Sequence, residues 1–335
     1  MHRVLPFTLA ILALGVGCSG GDSSTELIVE GIVVYSGRNE ALIGPLLESF
    51  EESTGVEVRV RYGSTSEMTA TLLEEGERTP ADLFISQDAA ALGALSNAGM
   101  LRNLEAAILA RVPERFRSQD GNWIGLSGRS RVVVYNTEAL EPGDLPQDLW
   151  EVGDPKYKGR FGLAPSNGSF QAHMAALRAV EGPARLAQWL EQAVENEAVT
   201  YPNNRSIVAA VLNGEIDWGL VNHYYLWREL TENPDLPGAN FFMPSGDISG
   251  FINVAGAGLL SDNSAAEQLL EYLLSPDAQS YFSKETYEYP VVEGIEASVD
   301  LIPLDEMPTV DVSFAEVSAA LEATLVAISA SGLLP

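Results

Sequence analysis

The sequence predicts an α/β fold of two lobes around a central cleft, each lobe a mixed sheet flanked by helices. Three observations predict it. From Ile32 onward, short β-branched runs alternate with stretches of helical hydrophobic spacing. The roughly 310 residues that follow the N-terminal leader exceed what one core usually holds, which favours two units. Two extended stretches, Asn122–Asn136 and Gly250–Leu260, sit where the chain would cross from one lobe to the other and back.

The elements follow in order. IVVYS (Ile32–Ser36) has the pattern of a buried strand, and Leu42, Ile43, Leu46, Leu47 and Phe50 space a helix over Ala41–Glu52. Val56, Val58 and Val60 alternate with charged neighbours in a second strand. A helix over Ser66–Glu75 leads to a third strand, ADLFIS (Ala81–Ser86), and to a helix from Asp88 or Ala89 to Asn97. NWIGLSGRSRVVVYN (Asn122–Asn136) reads as two strand segments joined through Gly128. In the second lobe, GRFGLAP forms a strand, helices begin at Gly168 or Ser169 and at Pro183, and SIVAAVLNG is a short helix closed by Gly214. IDWGLVN is a further strand, Ser264–Leu274 a helix, and Val312–Gly332 a helical tail placed on the second lobe. The expected division is residues 29–130 with 251–303 for the first lobe and 131–250 with 304–335 for the second.

The N-terminus speaks to compartment. His2 and Arg3 precede the apolar run VLPFTLAILALGVG, which ends at Cys18 and is followed by SGGDSS. That run is shorter than the ~20 apolar residues of a membrane span, and it suits a signal peptide. It resembles a bacterial lipoprotein signal, in which the cysteine is lipidated. Gly15 departs from that pattern, which prefers leucine there, and Leu14 lies one step earlier. The reading is a signal over residues 1–18, a linker over 19–28, and a lipid anchor at Cys18 that holds the protein in the periplasm or at the cell surface. The alternative is an ordinary cleaved signal with an incidental cysteine. Cys18 is the only cysteine, so an intramolecular disulfide is ruled out. No later segment reads as a membrane span.

A formal net charge of −28 disfavours nucleic acid and anionic lipid as partners and attracts cations. Catalytic signatures are absent beyond the leader and linker: there is no G-x-S-x-G elbow, no HExxH, no P-loop and no paired Cys/His spacing. Beyond the leader the only histidines are His173 and His223. The expectation is a binding protein and not an enzyme.

The stretches VYSGRNE, TPADLFISQDAAALGALSNAGML, GLSGRSRVVVYNTEAL, APSNGSF, NGEIDWGLVNHYYLW and LLSPDAQSYF occur in this order. Together they resemble the periplasmic ferric-iron-binding proteins of ABC importers, from about Ile32 to Leu334. The resemblance implies a periplasmic-binding-protein-like fold, Fe(3+) bound with a synergistic anion (phosphate or carbonate), and delivery by a monomer to a membrane permease.

Its most specific element is the pair Tyr224 and Tyr225. Ferric iron is small, hard and highly charged and prefers anionic oxygen donors. A phenol, with an ordinary pKa of ~10, ionises at neutral pH when a metal replaces its proton. Asn167, Gly168 and Ser169 match the family's anion loop; independently, small residues opening a helix offer free N–H groups and a positive dipole end. Asn204 and Asn222 match further anion contacts, and Arg38 is a plausible positive partner. The departures concern the metal. Asn39 stands where well-known members carry a histidine ligand, Gln87 where they carry a glutamate, and Phe170 where tyrosine-rich members carry a third tyrosine. The implied metal set is therefore Tyr224 and Tyr225 supplemented from Gln87, Asp88 and Asn39. The incomplete set keeps alternatives open: thiamine, a phosphonate or another small anion in the same fold, or a tethered sensor.

Overall fold

The computed structural model describes residues 31–244, 248–298, 301–304, 307, 310 and 312–334. The leader, the linker and Cys18 lie outside the described residues.

The described chain opens with β1 (Ile32–Ser36), α1 (Glu40–Thr54), β2 (Val58–Tyr62), α2 (Thr65–Glu75), β3 (Leu83–Ser86), α3 (Ala89–Asn97) and the short α4 (Ala106–Leu109). A long strand, β4 (Ile124–Asn136), leads to β5 (Phe161–Leu163), α5 (Gly168–Glu181), α6 (Pro183–Glu195), β6 (Val199–Thr200), α7 (Asn204–Leu212), β7 (Trp218–Asn222), α8 (Tyr224–Glu232) and β8 (Gly238–Phe241). The chain returns through β9 (Ile252–Leu259), α9 (Ser264–Leu273), α10 (Pro276–Lys284) and β10 (Tyr289–Pro290), and ends in α11 (Phe314–Ser331).

Two sheets share β4. In the first, β2, β1 and β3 are parallel, and β9 lies antiparallel between β3 and β4. In the second, β4 pairs with β7, which continues to β5 and β6. The change of partner falls between adjacent residues: Ser130 is registered with Ile252 of β9, and Arg131 with Asn222 of β7.

Strand β4 is buried along its whole length. Its alternation sends Val132 and Val134 into a core around Ile207, Val208 and Val221, while Val133 and Tyr135 join the main core. Gly128, expected to divide this stretch, does not interrupt the strand. Strand β10 pairs antiparallel with it here, Tyr289 opposite Gly128, and a Cβ on Gly128 would meet the Tyr289 Cβ at 3.3 Å. Glycine here admits a neighbouring chain and does not end the ladder. The one irregularity is a register shift between Gly125 and Ser127.

The tail helix packs more widely than expected, against α5 and α6 and also against α3, where the Ser318 hydroxyl donates to the Ala90 carbonyl. By length and composition alone α11 could also cross a membrane, which the sequence reading did not anticipate. Here Phe314, Val317, Thr324 and Ile328 are buried against the body of the protein.

The carboxyl ends of β3, β5 and β7 lead, within a few residues, into the N-termini of α3, α5 and α8. Loops at such ends carry first-turn N–H groups and positive dipole ends, and this is where α/β sheets bind ligands.

Candidate functional site

The tyrosine pair opens α8 directly after β7, with His223 as the intervening residue. On a strand, neighbouring side chains oppose each other; at a helix start they diverge by only about 100°. The two rings accordingly stack, with centroids 4.5 Å apart and planes at 30°. Tyr224 is buried and Tyr225 partly exposed. The Tyr224 hydroxyl accepts the Gln87 amide at 3.3 Å and the Asn222 amide at 3.5 Å. Burial raises its pKa well above the ordinary phenol value, Tyr225 and Glu288 add to this, and Arg129 opposes it. In the absence of a cation the Tyr224 proton stays on.

Asn167 caps α5, its Oδ1 accepting the Ser169 N–H at 3.1 Å. Asn204 donates to the same Oδ1 at 3.3 Å, and Asn222 donates to the Ser169 hydroxyl at 3.1 Å. Both amides are oriented by Arg131, whose Nη1 donates to Asn204 Oδ1 and to Asn222 Oδ1, each at 3.1 Å, while Nη2 donates to the Leu220 carbonyl. With their oxygens held by the guanidinium, the Nδ2 groups face the loop. The structure thus gathers Asn167, Ser169, Asn204 and Asn222 beside Tyr224.

Asp88 caps α3 through Oδ1, which accepts the Ala91 N–H at 3.0 Å. Burial raises its pKa, opposed by that N–H and by Arg129. Its other oxygen lies 3.7 Å from where a Gly168 Cβ would stand. Gln87 and Asp88, which follow β3 of the first sheet, therefore meet Tyr224 and Gly168, which follow β7 and β5 of the second.

Two expected residues are engaged elsewhere. Arg38 is fully buried in a two-pronged ion pair with Glu288, at 2.5 and 3.2 Å, and also donates to Ser127. Burial alone would raise Glu288, but the charge and hydrogen bonds of Arg38 hold it below the ordinary carboxylate range. The terminal nitrogens of Arg38 are engaged by that pair and by Ser127, and its buried Nε has no partner among the described residues. Asn39 is exposed, and its Oδ1 caps α1 by accepting the Ala41 N–H. It makes no contact with the tyrosine pair among its hydrogen bonds. Phe170 lies in the core against Trp189.

Sequence reasoning passed over Arg129 and Arg131. Both are buried, and their spacing of two on one strand turns them to the same face. The R-x-R pattern inside a strand otherwise made of small and apolar residues was the available signal, because a strand buried on both faces tolerates arginine only with partners. Burial pulls Arg131 down to about 9, against the opposing influence of Tyr224 and Tyr225, so it stays a cation at neutral pH.

The signature of the bacterial extracellular solute-binding proteins matches residues 32–288. The chain belongs to that family. Within it, the Fe(3+)-binding periplasmic protein of Serratia marcescens is 30% identical over 310 residues, spanning 90% of this chain and 89% of that protein. The major ferric iron-binding protein of Neisseria meningitidis is 30% identical over 304 residues, covering 88% and 90% of the two chains. The crystal structure of iron-bound HitA from Pseudomonas aeruginosa superposes with a TM-score of 0.86 at 29% identity, over 90% of this chain and 99% of that one. The two-lobed architecture is the family's, and its members bind solutes rather than transform them.

Proposed function

We propose that this protein captures ferric iron together with a synergistic anion, phosphate or carbonate, by closure of its two lobes, and hands it to an ABC permease. The observation that carries the reading is the stacked Tyr224–Tyr225 pair at a helix N-terminus, facing the Asn167–Ser169 loop. Two phenolates supply the hard anionic oxygens that a trivalent ion demands, and the positive end of α8 stabilises them as they lose their protons. The ferric-iron-binding proteins among the relatives support the same solute.

In this reading Tyr224 and Tyr225 are the metal ligands. The anion sits on Asn167, Gly168, Ser169, Asn204 and Asn222 and fills further coordination positions. Gln87 and Asp88 close on the unit from the opposite lobe, so that lobe opening exposes it for release. A lipid anchor at Cys18 would keep the protein beside its permease.

The test is a visible titration of the soluble part, from about Glu26, with a weakly chelated ferric salt, with and without phosphate or carbonate. A tyrosinate-to-iron band that is lost in Tyr224→Phe and Tyr225→Phe is expected. No band with any anion, and no protection from heat unfolding by iron, would remove iron as the solute and leave the fold to a phosphonate or thiamine.

A further inference from the structure

We propose that Arg129 makes this site select a doubly charged anion over a singly charged one. The inference rests on the ferric reading above and adds to it the charge class of the partner anion and the residue that sets it.

Arg129 is 1% exposed. One of its terminal nitrogens, Nη2, donates to the Gln87 carbonyl; Nε and Nη1 have no hydrogen-bond partner among the described residues. A buried guanidinium with two idle donors is costly unless something anionic meets it. Its surroundings place the guanidinium beside the cleft. Gln87 reaches the Tyr224 hydroxyl, and the charges that act on Arg129 are those of Tyr224, Glu288, Asp88 and Arg38. The Nδ2 group of Asn253, whose residue pairs with Arg129 across the β4–β9 ladder, is likewise buried without a partner, as is the Gln87 side-chain oxygen.

The buried charges then constrain the ligand. Among the described residues the fully buried arginines and carboxylates are Arg38, Arg129, Arg131 and Glu288. Arg38 and Glu288 neutralise each other. Arg129 and Arg131 remain, opposed by the Asp88 carboxyl, whose ionisation burial resists. A ferric ion held by two phenolates carries one further positive charge into this water-poor space. The buried unit thus holds an excess of at least two positive charges, which a dianion cancels and a monoanion leaves half uncompensated. Arg129 contributes one of those charges and two idle guanidinium nitrogens, whereas Arg38 and Arg131 each leave only Nε without a partner; the terminal nitrogens of Arg131 are engaged by Asn204, Asn222 and Leu220.

The experiment compares phosphate and sulfate with formate, acetate and nitrate near pH 7.5. Each is titrated into the wild-type protein, Arg129→Gln and Arg129→Lys, with ferric ion supplied from acetohydroxamate and the tyrosinate band as readout. The same anions are titrated calorimetrically without iron, and thermal melts establish that each variant is folded. Wild type should bind iron at least about tenfold more tightly with the dianions, the size expected for charge-assisted hydrogen bonds. Arg129→Gln should bring the two anion classes to near parity while keeping the band, and Arg129→Lys should restore most of the preference. Equal binding with both classes in wild type, or an unchanged preference in Arg129→Gln, overturns the inference. A wild type without a band under any anion removes the ferric reading instead. The iron-free titrations then decide the role of Arg129: a dianion preference lost in Arg129→Gln sustains it, and none overturns it.

Discussion

The side-chain amide of Gln87 donates to the hydroxyl of Tyr224 at 3.3 Å, joining the loop after β3 to the start of α8 across the cleft. The strands that precede them, β3 and β7, belong to different sheets, so the bond is one of the contacts that join the two halves. An amide can donate to a phenol but is a poor ligand for a trivalent ion. Replacing Gln87 with glutamate places a carboxylate of nearly the same shape beside the tyrosine pair. In the metal-free protein Gln87→Glu sets a second anion near Tyr224 and Glu288 and loosens closure. With ferric iron the order reverses, and affinity should rise by about tenfold or more, as a charged oxygen replaces a neutral one. Competition against a chelator measures the affinity, and small-angle scattering of the iron-free form reports closure. Unchanged affinity would place Gln87 outside the coordination sphere.

Ferric ligation by Tyr224 displaces a proton that burial otherwise holds in place, since its pKa lies well above the ordinary value. The sign follows directly. The metal-free form keeps the phenol proton throughout the neutral range and the bound form loses it, so apparent affinity falls as pH falls. With both hydroxyls ligating and the anion's charge constant, the slope approaches about a hundredfold per pH unit. Tyr225→Phe should reduce it to about tenfold per unit. Iron competition between pH 6 and 8 in a fixed anion measures the slope, and a flat profile would exclude phenolate ligation.

Arg131 and Arg129 lie two residues apart yet predict different failures. Arg131 orients Asn204 and Asn222 through two bonds from one nitrogen and holds Leu220 with another. Lysine keeps the charge but not the planar fork that reaches three acceptors. Arg131→Lys should therefore free both amides to flip and weaken anion-dependent iron binding by roughly tenfold, the cost of one to two hydrogen bonds. The preference for dianions should survive, because Arg129 is untouched. Isothermal titration with phosphate and with formate separates the two effects; a loss of selectivity without loss of affinity would reverse the assignments.

How far the sequence reached depended on how local each determinant was. The strand Ile32–Ser36, the helix Pro183–Glu195 and the start of the helix at Gly168 were legible because short-range hydrophobic spacing and caps specify them. The gathering of Asn167, Ser169, Asn204 and Asn222 was approached through resemblance to a family, since no local rule brings three separate loops together. The fate of Arg38 was not legible, because its partner Glu288 is 250 residues away and the pairing depends on how α10 and β10 return to the first sheet. Asn39 looked like a ligand position but answers to a nearer demand, the unpaired N–H groups of α1. Gly128 looked like a break because glycine is a common strand breaker, and only the close antiparallel pairing with Tyr289 shows why it sits inside a continuous strand.

His223 ties the tyrosine pair to the point where β4 changes sheets. Its Nε2 donates to the Tyr287 carbonyl at 2.6 Å, which fixes the tautomer, and its Nδ1 accepts the Ser130 N–H at 3.2 Å. Burial lowers its pKa to about 4, against the pull of the Tyr287 and Ser130 backbone and the charge of Glu288. The folded state therefore keeps the ring neutral, while the unfolded chain protonates it below an ordinary value of ~6.5. The stability this provides is complete above pH ~6.5 and is lost progressively as pH falls toward 4, by roughly 3 kcal/mol over the window. Asp88 acts in the opposite direction, since burial raises its pKa and favours the protonated acid in the fold. Removing the imidazole should then leave a protein that is less stable at pH 7.5 but less sensitive to acid. His223→Gln is expected to lose the Ser130 acceptor, lower the denaturation midpoint at pH 7.5, and flatten the decline between pH 6.5 and 4.5. Urea unfolding at these pH values tests this, and a decline as steep as in wild type would mean that the acid sensitivity arises at other groups.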